Sequence, residues 1–247
     1  MRFRLHRQAQ SRINNGMSQA ARQKKPKKKP VIRYGTGELY GFDFAALPAE
    51  RIRSLANAAF KSQPCPFRGG GSLCNKPGGV CSLRQFSKTG PDVGPIEDTS
   101  LVATCPTRFY DAGVALSWAA RTLLDTDAPI ILTELPFLMS TATGDAPGHS
   151  TVGKIDMVLV HPDTKTLRWC ALEIQAVYFS GASMSKDFSM MKKWVGPGIP
   201  FPQGIRRPDF RSSGPKRLMP QLQIKVPTIS RWGKKMAVTF DDIAVAA

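Results

Sequence analysis

What this 247-residue chain lacks narrows its chemistry first. It has only three histidines, and His6, His149 and His161 fall in a basic N-terminal stretch or in turn-like segments. A catalyst built on several converging imidazole ligands is therefore not expected. No apolar run approaches the roughly 20 residues that a membrane-crossing helix needs, so no integral membrane segment is expected. No secretory signal is recognisable either, which makes the interior of the cell, the cytoplasm, the expected compartment. No internal repeat is visible. Acid is missing altogether from residues 1–33, which hold 11 of the 35 Lys and Arg. The net charge is +17, yet the remainder of the chain, with 24 basic and 18 acidic residues, carries only +6. A stretch such as RQKKPKKKP cannot bury apolar surface, so 1–33 reads as a disordered basic tail free to lie along a polyanion. Nucleic acid is the expected polyanion, because each neutralised phosphate releases counterions and adds salt-sensitive, sequence-independent affinity. A solubilising or processed leader is the alternative reading of the same composition.

What is present centres on two apolar runs, VGKIDMVLV and WCALEIQAV, separated by the turn-rich HPDTKT. They predict adjacent strands of an antiparallel hairpin, carrying Asp156 on one and Glu173 with Gln175 on the other. Carboxylates among β-branched apolar residues are costly to bury, and two neighbours repel unless a cation lies between them. Mg²⁺ takes one or two carboxylates together with waters and substrate phosphates, which is the donor set that phosphodiester hydrolysis uses. The arrangement resembles the PD-(D/E)XK nuclease core, with Gln175 where an acid-x-Lys element has its lysine. Gln175 can orient a water or a phosphate but brings no charge and is no base at neutral pH.

The cysteines form a second constellation. Cys65, Cys74, Cys81 and Cys105 are separated by 8, 6 and 23 residues within a Gly- and Pro-rich region that has little core of its own. A tetrahedral thiolate site would staple these loops, and four sulfurs select zinc or iron over Mg²⁺. Two disulfides are the alternative, disfavoured where thiols stay reduced. Cys170, beside Glu173, reads as a small core residue. Downstream, Arg206, Arg207, Arg211, Lys216 and Arg217 crowd a Pro- and Gly-rich stretch with Asp209 as its one acid. Arginine can read guanine O6 and N7 bidentately, although most such residues in an interface touch phosphates. Gln221 and Gln223 alternate with Leu222 and Ile224, as a strand or short helix with a polar face would. Two helices are predicted upstream, one burying Ile52, Leu55, Ala59 and Phe60, the other Val114, Leu116, Trp118 and Leu123.

Taken in order, the runs CPF, CNKPGGVCSLRQ, the later CP, TELPF, IDMVLV, LEIQAVYFSG and PKRLMPQLQIK resemble the NotI family of type II restriction endonucleases from about Cys65 to Lys225. That resemblance implies a tetracysteine site holding iron in a rubredoxin-like way, a PD-(D/E)XK core, and Mg²⁺-dependent cleavage of GC-rich palindromic DNA by a homodimer. It makes Asp156 and Glu173 the metal ligands, places Gln175 at the lysine position, and makes Glu134 the upstream acid near the metal. Read from its own surroundings, Glu134 precedes Pro136 on an edge strand and is equally an exposed strand-end acid. The chain is shorter than a full restriction enzyme of that family, so part of the DNA-reading surface is expected to be missing. The resulting expectation is an α/β protein in three parts: a tail at 1–33, a small helical and tetracysteine metal-stapled subdomain at 34–110, and a restriction-endonuclease-like PD-(D/E)XK core with a mixed central sheet at 111–247. The expected function is double-strand DNA cleavage in defence by a homodimer. The alternative is a DNA-binding or nuclease-like subunit of a larger mobile-element or defence complex that does not cleave independently. A tetracysteine RNA-binding protein is a third reading, but the chain lacks the aromatic stacking platform such modules use.

Overall fold

The computed structural model describes residues 29–140 and 150–241, and most of the basic tail falls outside them. The first strand begins at Val31, inside the stretch 1–33 expected as tail. Strands β1 (Val31–Leu39), β2 (Phe42–Asp43), β3 (Val80–Thr89), β4 (Asp92–Pro95) and β5 (Val102–Ala103) make one sheet in the order β2-β1-β3-β4, with β5 also pairing β3. Helix α1 (Ala49–Asn57) covers it, burying Ile52 and Leu55 as its spacing predicts. It ends before Ala59 and Phe60, because Ala58 already adopts an extended backbone; Ala56 is buried in their place.

Helix α2 (Val114–Leu124) then leads to the second sheet, formed by β6 (Ile130–Ser140), β7 (Ser150–Val160), β8 (Trp169–Gln175) and, at the far end, β11 (Lys235–Phe240). Its order is β11-β8-β7-β6, with β11 parallel to β8 and the other pairs antiparallel, a mixed sheet. The two apolar runs do form neighbouring antiparallel strands, in register from Met157↔Leu172 to Val160↔Trp169. Between β8 and β11 come β9 (Phe179–Gly181), α3 (Ser185–Met191), β10 (Arg206–Pro208), α4 (Phe210–Ser213) and α5 (Met219–Arg231).

Helices pack on both faces of the second sheet. On one face, Ala119, Ala120 and Leu124 of α2 meet Met157, Leu159, Leu172 and Ile174. On the other, Ile229 of α5 meets Phe137, Ile155, Val158 and Ala171. The face of α2 differs from the one its spacing predicts: Leu116 and Leu123 pack partly, whereas Val114 and Trp118 are exposed. The helix is apolar around most of its girth, and two alanines allow a closer approach to the sheet than Trp118 would. The core of the first sheet, built on Leu39, Ile52, Leu55 and Phe86, recruits Met191, Ile199 and Phe201 from far downstream. Two hydrogen bonds join the sheets where β8 ends. Val177 N–H donates to Ala103 O at 2.9 Å, and Ala103 N–H donates to the buried Asp241 carboxylate at 2.8 Å.

Candidate active site

The β7–β8 ladder stops at Met157↔Leu172, and the next residues on the two strands are Asp156 and Glu173. Beyond that point a side chain takes over from the main chain: Asp156 Oδ2 accepts from Ile174 N–H at 2.9 Å. Alternation along β8 sends Leu172 and Ile174 toward α2, so Glu173 and Gln175 share the α5 side with Ala171. The β6–β7 ladder is broken at the same level. It runs from Ile130↔Val160 to Thr133↔Met157 and resumes at Leu135↔Ile155, which sets Glu134 across from Asp156. Glu134 has a φ of +56°, a conformation that side chains rarely adopt and that persists only where the surroundings enforce it. Its exposed carboxylate pairs with Lys154 at 3.2 Å.

Burial raises the Asp156 carboxyl above its usual range, against the pull of the Ile174 N–H and the Lys225 ammonium, and Glu134 adds to the rise. Burial also raises Glu173, against its bond to Lys225. Tyr110 lies close enough that Asp156 and Glu134, after burial itself, keep its hydroxyl protonated. Gln175 is half-buried, and its amide donates to Ala176 O at 2.6 Å. Asp156, Glu173 and Gln175 line a cleft of about 770 Å³. Its opposite wall comes from the cysteine-bearing loops through Lys76, Thr104 and Pro106, and Arg217 and Gln221 stand on the near side.

Cys65, Cys74, Cys81 and Cys105 all line one small cavity behind that wall. No disulfide joins them. Burial pushes the Cys74 thiol up and the Cys81 thiol up to about 12. As thiols they rest on Lys76 O, Gly79 O and, for Cys105, the Thr107 hydroxyl at 2.9 Å. Among the described residues no group of three or more His, Cys, Asp or Glu side chains is arranged to hold a metal ion. The thiols thus share a cavity without closing into a ligand sphere. Lys76 links cavity and cleft, its ammonium donating to Thr104 O and Oγ1 at 2.5 and 3.1 Å. Cys170 lies deep in the sheet core, its thiol pushed up to about 11 by burial.

The basic cluster divides. Arg207, Arg211, Lys216 and Arg217 are exposed. Arg217 lies flat over Tyr178, 3.8 Å from the ring centroid, and donates to its hydroxyl at 2.9 Å, holding a guanidinium at the mouth of the cleft. Arg206 is different. It is buried, bound to Asp187, Ser183 O and Tyr34 O, and so braces the cleft wall where an exposed DNA contact was expected. The local sequence shows its charge but not its partner, which lies 19 residues upstream in α3.

Sequence reasoning also missed Lys225. Its ammonium, 4% exposed, donates to Glu173 Oε1 at 2.8 Å and to Gln221 Oε1 at 2.9 Å. The available signal was a lysine between Ile224 and Val226, four residues after Gln221 and so on the same helix face. Among the described residues no helix is long and apolar enough to cross a membrane. A family model described as "Restriction endonuclease NotI" matches residues 51–245. No curated protein and no solved structure matches the chain.

Proposed function

Because this chain belongs to the NotI restriction endonuclease family, whose members are sequence-specific type II deoxyribonucleases, we propose that it hydrolyses both strands of a GC-rich DNA site with Mg²⁺ held by Asp156 and Glu173. The observation that carries this reading is the break in two adjacent strand ladders that sets Asp156, Glu173 and Glu134 near one another, the first two of them lining an open cleft. The donor set suits Mg²⁺, which needs only one or two carboxylates when waters and phosphate oxygens complete its shell. Bound there, the cation supplies a Lewis acid for the scissile phosphate and lowers the pKa of a coordinated water.

The chain's own residues do the rest. The Ile174 N–H orients Asp156, and Lys225 orients Glu173. Gln175, whose amide now bonds a neighbouring carbonyl, lines the same cleft as the two acids and would hold a water or a phosphate oxygen by hydrogen bonding. Glu134, across from Asp156, would take a water on the exposed side. Arg217, Arg207, Arg211 and Lys216 line the approach as backbone and groove contacts. The residues that would hold structural iron or zinc are Cys65, Cys74, Cys81 and Cys105, whose thiols already face one cavity and have the softness such metals select. In this reading the second sheet with its two helices is the PD-(D/E)XK core, the cysteine loops and first sheet form the stapled subdomain, and Met191 to Phe201 pack on the latter. A homodimer places two such sites on the two strands of a palindrome.

The test is digestion of large GC-rich genomic DNA by purified protein, with and without Mg²⁺, beside an Asp156→Ala variant. Discrete fragments that need both Mg²⁺ and Asp156 are expected. Fragments produced equally by the variant would remove Asp156 from the site. DNA retarded on a gel but never cut would favour a binding subunit that depends on partner proteins.

A further inference from the structure

Two carboxylates, Asp156 and Glu173, line the cleft side by side. Gln175 is neutral where an acid-x-lysine strand would bring a cation. Glu134 has Lys154, but out in solvent, where both side chains are more than half exposed. Among the described residues, the buried Glu173 carboxylate is ion-paired with Lys225, while Asp156 beside it is only half-buried.

Three features set this lysine apart from an ordinary structural ion pair. First, the pair is buried on both sides, 4% and 3% exposed. Desolvating two such charges costs several kcal/mol each in general, and a well-packed apolar pair would hold α5 to the sheet at least as firmly. Stability is therefore a poor reason for its presence. Second, an ammonium has three protons to donate, and Lys225 uses two, on Glu173 Oε1 and Gln221 Oε1. One N–H remains uncommitted beside the carboxylate. Third, the lysine has space around it. Its stem lines a separate hollow of about 220 Å³ with Phe137, Gly153 and Ile224, and Gln221 lines both this hollow and the cleft.

We propose that Lys225 is the cation of the active site, supplying from helix α5 the positive charge that Gln175 does not bring from strand β8. It acts as a positioning residue: it holds one oxygen of Glu173, keeps that carboxylate aimed, and offsets charge that accumulates at the scissile phosphate. Gln221, one helical turn earlier, fixes the ammonium from the other side. This inference rests on the assignment of Asp156 and Glu173 as the cleavage site.

The test moves the charge. Lys225→Gln keeps a hydrogen-bond donor for Glu173 but removes the cation, Lys225→Arg keeps the charge, and Gln175→Lys with Lys225→Gln returns a cation from the strand. Each is assayed for Mg²⁺-dependent cleavage of GC-rich DNA, with Asp156→Ala in parallel and thermal unfolding to confirm folding. Losing one preorganised donor aimed at developing charge typically costs about 10²- to 10³-fold in turnover. Lys225→Gln should lose about 10²-fold in kcat with KM for DNA changed less than about threefold, while Lys225→Arg stays within about tenfold of the parent. The double variant should recover at least about tenfold over Lys225→Gln. A folded Lys225→Gln enzyme with parental kcat would overturn the proposal. Should that variant not fold, the double variant decides alone: folded and active supports the charge role, folded and inactive refutes it. If Asp156→Ala cleaves normally, the site assignment has failed. If Asp156→Ala is inactive and Lys225→Gln is not impaired, only the role of Lys225 has failed.

Discussion

Replacing Asp187 with Ala tests the largest departure of structure from sequence-level expectation, the burial of Arg206. The Asp187 side chain is 8% exposed and that of Arg206 3%. The guanidinium also donates to Ser183 O at 2.7 Å and to Tyr34 O at 3.3 Å, tying β10 to both the α3 region and β1. Gly204 leaves the room this requires, since a Cβ there would come within 2.6 Å of the guanidinium. Asp187 accepts in addition from Gln203 N–H at 2.5 Å. Removing the carboxylate strands a buried charge that cannot neutralise itself, because arginine stays protonated in proteins. Breaking such a pair costs about 3–5 kcal/mol. In a chain of this size each kcal/mol shifts Tm by roughly 2–4 °C, so Asp187→Ala should lower Tm by about 6–20 °C.

The assay is reversible thermal unfolding followed by two probes, beside DNA binding by fluorescence anisotropy. The apolar double variant Asp187→Leu/Arg206→Met should recover most of the loss, because neither charge is then left without its partner. An Asp187→Ala variant within about 1 kcal/mol of the parent, together with a stable Arg206→Ala variant that loses only DNA affinity, would refute the reasoning and return Arg206 to the DNA-facing surface.

Three further outcomes follow from the site. Arg217→Ala should weaken DNA binding and reduce the salt slope of log K by about one, and Tyr178→Leu should give a smaller loss by freeing the stacked guanidinium; an unchanged salt slope would take Arg217 out of the interface. Cys81→Ser should lower bound iron or zinc and Tm together, with activity falling as a consequence, whereas full metal content by elemental analysis would remove Cys81 from the ligand set. In EDTA, burial raises Asp156 above its unfolded value, so the native state holds that proton more tightly. Its contribution favours folding below the ordinary carboxylate range and is lost as pH rises through the raised value. Urea unfolding from about pH 4 to 7 should therefore show the metal-free parent losing stability with pH relative to Asp156→Asn, and a difference independent of pH would contradict it.

Much of this site was legible in the sequence for a physical reason. Acids are costly among β-branched residues, so Asp156 and Glu173 stand out in runs that otherwise specify buried strands, and the turn between those runs sets them side by side. The four cysteines were legible because Gly- and Pro-rich loops have no core to hold them together, and the structure does bring all four to one cavity. Charge partners were not legible. Lys225 lies 52 residues beyond Glu173, on a segment whose alternating Gln221, Leu222, Gln223 and Ile224 left helix and strand undecided. The buried face of α2 was hidden because nearly every position there is apolar, so spacing alone could not select Ala119 and Ala120 over Trp118.

The same features explain why the cysteine loops matter to a cleft they do not chemically share. Thr104 and Cys105 N–H both donate to Cys81 O, so the thiol-bearing strand and the loop after β5 are one hydrogen-bonded unit. Ala103, one residue earlier, is the point at which Val177 and Asp241 fasten the second sheet. The far wall of the cleft, Lys76, Thr104 and Pro106, therefore stands on the residues that flank the thiols. Loosening the thiol cluster should move that wall relative to Asp156 and Glu173 before it unfolds either sheet, because each sheet keeps its own apolar core. A structural metal bound in this position would act on catalysis by holding the width of the cleft, and its loss would weaken DNA binding at temperatures where both sheets remain folded.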